Sequence, residues 1–73
     1  MPQGVILFPS IYFALRAEKK SKEKGLSVKL VPVPRHLSSD CGVCLRIPWE
    51  EKETIRSLLK EGNVKVEGIH LLE

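Results

Sequence analysis

An α+β fold is what the sequence predicts, and three observations predict it. Apolar residues run unbroken over Val5–Phe8 and alternate with others over Leu26–Val33 and Val43–Ile47, the patterns of strands. Two intervening stretches, Ile11–Lys24 and Trp49–Glu61, carry the start and stop chemistry of helices. With a last apolar stretch, Val64–Leu72, the order becomes β-α-β-β-α-β. That order belongs to the ferredoxin-like sandwich, a four-stranded antiparallel sheet with both helices on one face. A chain of 73 residues without internal linker, repeat or low-complexity segment is expected to be one domain, 1–73.

Each element has a local cause. Val5–Phe8 lacks polar alternation and is expected to be a buried central strand, stopped by Pro9. Ser10 is placed to cap the helix Ile11–Lys24, and Gly25 stands where a helix ends on a left-handed residue. Ala14, Ala17 and Ser21 share one face of that helix, small enough to let it approach a sheet closely. Pro32 and Pro34 cannot donate ladder hydrogen bonds, so the second strand is expected at a sheet edge. Arg35–Gly42 is a polar connection rich in turn formers, Ser38, Ser39, Asp40 and Gly42. The third strand, Val43–Ile47, is stopped by Pro48. Glu50, Glu51 and Glu53 complement the dipole of the second helix, whose apolar stripe is Ile55, Leu58 and Leu59. Gly62-Asn63 ends it, and Val64–Leu72 is the fourth strand, interrupted at Gly68.

Composition removes several function classes. A chain that is 42% hydrophobic and 29% charged is globular rather than disordered. Its longest apolar run, Val5–Phe8, is far too short for a membrane-spanning helix. Met1–Gly4 has no basic leader chemistry, so a cytoplasmic protein is expected. Two cysteines exclude a multi-disulfide scaffold and a four-thiolate zinc site within one chain. Two separated histidines add little, so neither a metal nor a cofactor is expected. The net charge of +3 is concentrated at Arg16, Lys19, Lys20, Lys22 and Lys24, with Glu18 and Glu23 among them. Such a run is either a solvated helix face or an electrostatic footprint for RNA or an acidic protein. No aromatic or glycine-rich RNA-binding signature accompanies it, which favours the solvated face and speaks against nucleic acid.

The concentrated chemistry is Cys41-Gly42-Val43-Cys44. Two cysteines fall at this spacing in roughly one random placement in forty. Such a pair can close a redox disulfide, clamp a soft metal, or take up a sulfur-group atom as a persulfide. All three need an accessible thiolate. Arg35, His36 and Arg46 are candidate positive neighbours, and Asp40 would act in the opposite sense. The bland alternative is two small apolar residues packed at a loop and a strand. Redox pairs usually open a helix, whereas this one opens a strand, which argues against a thioredoxin-like mechanism. Metal transporters of this fold carry the pair after the first strand, which argues against a copper chaperone. A zinc site shared between two chains has no support in the sequence. A Cys41–His36–Asp40 nucleophilic set is disfavoured because His36 lies in a polar loop, and His70 is assigned no role. Alternation sends Cys44 and Arg46 to the face opposite Val43, Leu45 and Ile47. If those three face the helices, Cys44 is expected to face solvent or a partner.

The run Ile6–Ser10, then Ala14–Lys19, Val31–Val43, Leu45-Arg46 and Val66–Ile69 resembles a small bacterial and archaeal family, the Se/S carrier protein-like family. The resemblance covers nearly the whole chain, and Pro34-Arg35 followed by Ser38-Ser39-Asp40-Cys41-Gly42 is its most specific part. It implies a role in handling selenium or sulfur, with the family's cysteine at Cys41. Cys44 falls where the family pattern has a small residue.

Three functions are therefore expected in order. The first is a carrier: Cys41 takes sulfur or selenium from a donor enzyme and passes it to an acceptor enzyme, with little catalysis of its own. Arg35 and Arg46 would hold the anionic persulfide, Gly42 would admit a partner closely, and Cys44 would assist release. The second is a binding or regulatory module that dimerises or docks through its open sheet face. The third is a small thiol-disulfide oxidoreductase using Cys41 and Cys44.

Overall fold

The computed structural model describes residues 2–37 and 41–72. β1 (Gln3–Leu7) leads into α1 (Ile11–Glu23), β2 (Lys29–Pro32), β3 (Val43–Pro48), a short 3₁₀ turn (Trp49–Glu51), α2 (Lys52–Glu61) and β4 (Gly68–Leu72). The strands form one four-stranded sheet in the order β2-β3-β1-β4, with every adjacent pair antiparallel. β1 and β2 therefore run parallel on either side of β3, with α1 joining them. This is the α+β class and the element order that the sequence predicts. β1 is central, as its unbroken apolar run requires. β2, ending at Pro32, lies at an edge, where a residue without an N–H removes no ladder bond.

Both helices cover one face. Ile6, Leu45 and Ile47 from the sheet meet Ala14 and Ala17 of α1 and Ile55 and Leu59 of α2, all buried, and Phe8, Val28 and Val64 complete the core. Ala14, Ala17 and Ser21 are fully buried, so the small face of α1 does face inward.

Two strands are shorter than their apolar patterns suggest, for one physical reason. Each helix ends in the same backbone motif, which consumes the residues that follow. Leu26 N–H donates to Ser21 C=O at 3.1 Å and Gly25 N–H to Lys22 C=O at 3.0 Å, with Gly25 at φ +75°. Val64 N–H donates to Leu59 C=O at 2.9 Å and Asn63 N–H to Lys60 C=O at 3.2 Å, with Asn63 at φ 57°. Leu26 and Val64 thus close helices and pack on the core instead of opening strands. The first residues of the expected second helix, Trp49–Glu51, form the 3₁₀ turn.

No atom lies within 4 Å of where a Cβ on Gly25 would stand, so Gly25→Ala meets no steric clash. Its cost is the left-handed backbone alone, about 1 kcal/mol. The melting temperature is expected to fall by roughly 4–8 °C in thermal denaturation.

The basic cluster divides by role. Arg16 Nη2 donates to Gly62 C=O at 3.0 Å, and the Lys20 stem lies against Gly62. Both cations thus stand at the negative end of α2 and tie the helices together. Lys19, Lys22 and Lys24 are solvated, and Lys22 pairs with Glu18 at 3.3 Å. No helix is long and apolar enough to cross a membrane.

Candidate functional site

Cys41 and Gly42 form the turn that enters β3. Gly42 is exposed at φ +76°, a conformation that favours glycine, and nothing lies within 4 Å of its missing Cβ. Its carbonyl accepts Val33 N–H at 3.2 Å, which fixes the turn to the chain just beyond β2. Cys41 is half-buried and packs with Val43 against the helix-side core. Its Sγ donates to Val43 C=O at 2.7 Å. That bond sets the side-chain orientation, and its proton must leave before the sulfur can attack.

Cys44 has a different environment. It sits in β3 opposite Val31 of β2 and Leu7 of β1. It is fully buried, in a second cluster with Val5 and Leu7 on the sheet face away from the helices. The expectation that Cys44 faces solvent or a partner is therefore corrected. Alternation places it on the predicted face, but Val33 and Leu37 pack over that cluster. A turn closed by Leu37 N–H donating to Pro34 C=O at 3.0 Å lets them do so.

The two thiols are not joined in a disulfide. They pack against clusters on opposite sides of the sheet, one half-buried and one fully buried. A dithiol oxidoreductase needs two thiols that meet and exchange with a partner, so that alternative has no support in this arrangement. Burial pushes the Cys44 thiol above its ordinary value of 9.0, and negative charge on Cys41 pushes it the same way. Cys44 therefore stays protonated and unreactive at neutral pH.

The unfolded chain releases the Cys44 proton near pH 9.0, whereas the folded chain holds it to higher pH. This contribution to stability is complete below about pH 9 and is lost as pH rises through the raised folded value. Melting temperatures measured across the alkaline range are expected to fall less steeply for Cys44→Ala than for the parent chain.

The remaining predicted residues are spread out. Arg35 and His36 are exposed in the turn after Pro34. Arg46 is exposed within β3, three residues or about 10 Å along the strand from Val43. It leaves the sheet on the Cys44 side and lines a hollow with Gln3, Ser27, Lys29 and Pro48. The fold thus joins Cys41 to Gly42 and does not bring Arg46 to Cys41. His70 is exposed on β4 opposite Val5. Ser38, Ser39 and Asp40 lie outside the described residues. Among the described residues, no three His, Cys, Asp or Glu side chains converge as a metal site would require. Lys29 is the residue that sequence reasoning missed, because its position opposite Arg46 depends on strand register.

A family model matches residues 3–71, from the first strand to the last. The chain belongs to that family, described as Putative Se/S carrier protein-like. Membership covers every element above and brings the Cys41-Gly42 turn within the matched region. It associates this Se/S carrier-like chain with selenium and sulfur handling, and a carrier implies partner proteins. No curated protein and no solved structure matches the chain.

Proposed function

We propose that this Se/S carrier-like protein holds a persulfide or selenopersulfide on Cys41 and delivers it to a partner enzyme in the cytoplasm. The observation that carries this reading is the contrast between the thiols: Cys41 lies at a surface turn beside exposed Gly42, and Cys44 is sealed.

Loading is a displacement at sulfur. The Cys41 thiolate attacks the outer sulfur of a donor persulfide, R–S–SH. A bond forms between Cys41 Sγ and that sulfur, the donor S–S bond breaks, and R–S⁻ leaves with the electron pair. Delivery repeats the exchange: an acceptor nucleophile takes the outer atom, and the Cys41 thiolate is the leaving group. Selenium follows the same course. No net oxidant or reductant is consumed. Gly42 leaves room for a partner's active site to approach. Arg35, exposed in the preceding turn, is the cation proposed to steady the anionic persulfide.

A carrier needs a partner contact near its thiol. β1 ends opposite the start of β3, so the first turn of α1 lies at the Cys41 end of the molecule. Ile11, Tyr12 and Leu15, on the first two turns, are 52%, 59% and 51% exposed. Exposed Lys19 continues this surface and favours an enzyme with an acidic rim.

The proposal is tested by incubating the chain with glutathione persulfide and with a cysteine desulfurase plus cysteine, then measuring intact mass. One added sulfur per chain is expected, removable by thiol reductant. No adduct from either donor would refute the reading.

A further inference from the structure

The four strands contain Lys29, Arg46 and His70 but no Asp or Glu. The described carboxylates lie instead on the two helices, on the 3₁₀ turn and at Glu67. Charge is therefore segregated, and the sheet face away from the helices carries cations only, among the described residues. On that face Lys29 stands directly opposite Arg46 in the β2–β3 ladder. Like charges placed in this way oppose folding. Neither forms an ion pair or a side-chain hydrogen bond among the described residues, so nothing there offsets the repulsion. A repulsive pair left uncompensated on a small domain is a local inconsistency of the kind found at binding sites.

The two cations border a hollow of about 390 Å³ that Gln3, Ser27, Val28 and Pro48 also line. Its size is that of a small-molecule site. Its chemistry is that of an anion site, with two cationic donors beside two neutral polar side chains. Two cations are too few to track a nucleic-acid backbone, whose binding proteins neutralise many phosphates.

We propose that this hollow binds a small molecule through a phosphate-like oxyanion, held between Lys29 and Arg46. The site lies on the opposite face from Cys41 and does not rest on the carrier reading. It gives Arg46 a role that its distance from Cys41 does not.

The test uses the full chain, isotope-labelled, titrated by NMR at constant ionic strength with inorganic phosphate and separately with AMP. Saturable shifts are expected at Ser27, Lys29 and Arg46. The double variant Lys29→Gln/Arg46→Gln should lose affinity by about tenfold or more. Lys60→Gln, an exposed cation in the last turn of α2 on the other side of the sheet, should keep it. Tighter binding of AMP assigns the hollow to a phosphorylated metabolite, and equal binding assigns it to a free oxyanion; both support the site. The double variant should melt no lower than the parent, since it removes a repulsion. Linear, unsaturating shifts would overturn the inference. So would unchanged affinity in the double variant, a lowered melting temperature in it, or binding of single-stranded RNA when neither phosphate nor AMP binds.

Discussion

Cys41→Ser is expected to reduce sulfur or selenium loading to background, while Cys44→Ala keeps it. The asymmetry follows from placement. Cys41 is at a surface turn and packs against the edge of the core, so a donor can reach its sulfur after the bond to Val43 C=O is released. Serine conserves the shape and the hydrogen bond but lacks a sulfur nucleophile, so no exchange can begin. Cys44 is fully buried, and its environment disfavours the thiolate. Its truncation removes one buried sulfur and costs about 1 kcal/mol. Cys44→Ala should therefore fold, melt slightly earlier and load normally. Mass spectrometry after donor treatment reads the loading, and thermal melting shows that both variants are folded. Loading that disappears with Cys44→Ala while the variant remains folded would restore a two-thiol mechanism.

Gly4→Ala should cause the largest loss of stability of any single methyl addition on β1. Gly4 is paired with Ile47 on one side and Leu71 on the other, on the helix side of the sheet. The Trp49 ring lies directly on it. An added Cβ would stand 2.6 Å from Trp49 Cζ3, closer still to Cε3, and 3.0 Å from the His70 carbonyl oxygen. The carbonyl belongs to the β1–β4 ladder and cannot withdraw without breaking it, so the indole has to move. The Trp49 backbone is held by its main-chain N–H donating to Pro2 C=O at 3.1 Å, and Lys52 Nζ lies 4.5 Å from its ring centre. Overpacking of this kind costs about 3 kcal/mol. In a domain of this size that lowers the melting temperature by roughly 10–20 °C. Trp49 is the chain's one tryptophan, so its fluorescence reports the displacement directly. Combining Gly4→Ala with Trp49→Ala should recover part of the loss, because the two positions are in contact.

The fold was legible wherever a local pattern has one physical meaning. An unbroken apolar run became the central strand, Gly25 became a left-handed helix end, and Pro32 and Pro34 marked β2 as an edge. The bounds of β2 and β4 were not legible. Leu26 and Val64 look like strand residues, and only the hydrogen bonds back to Ser21 and Leu59 commit them elsewhere. The site was legible at the Cys41-Gly42 turn and not beyond it. Alternation gives the face on which Cys44 lies, but it says nothing of Val33 and Leu37 packing over it. Arg46 is near Cys41 in sequence, yet Cys41 packs on the helix side of the sheet and Arg46 leaves it on the other. Arg16 resembled a solvated charge until α2 ended beside it. In each case the missing information is a contact between distant segments, which periodicity along one segment does not carry.

In the function proposed above, one thiol, Cys41, carries the sulfur or selenium atom. Peptide mapping by tandem mass spectrometry, after loading the unaltered chain and blocking remaining thiols, tests it most directly. Cys41 and Cys44 share the peptide between Arg35 and Arg46, so the fragment ions that separate them are expected to place the added atom on Cys41, with an unmodified Cys44 that reacts only after unfolding. An atom located on Cys44, or a Cys41–Cys44 disulfide as the main product, would contradict it.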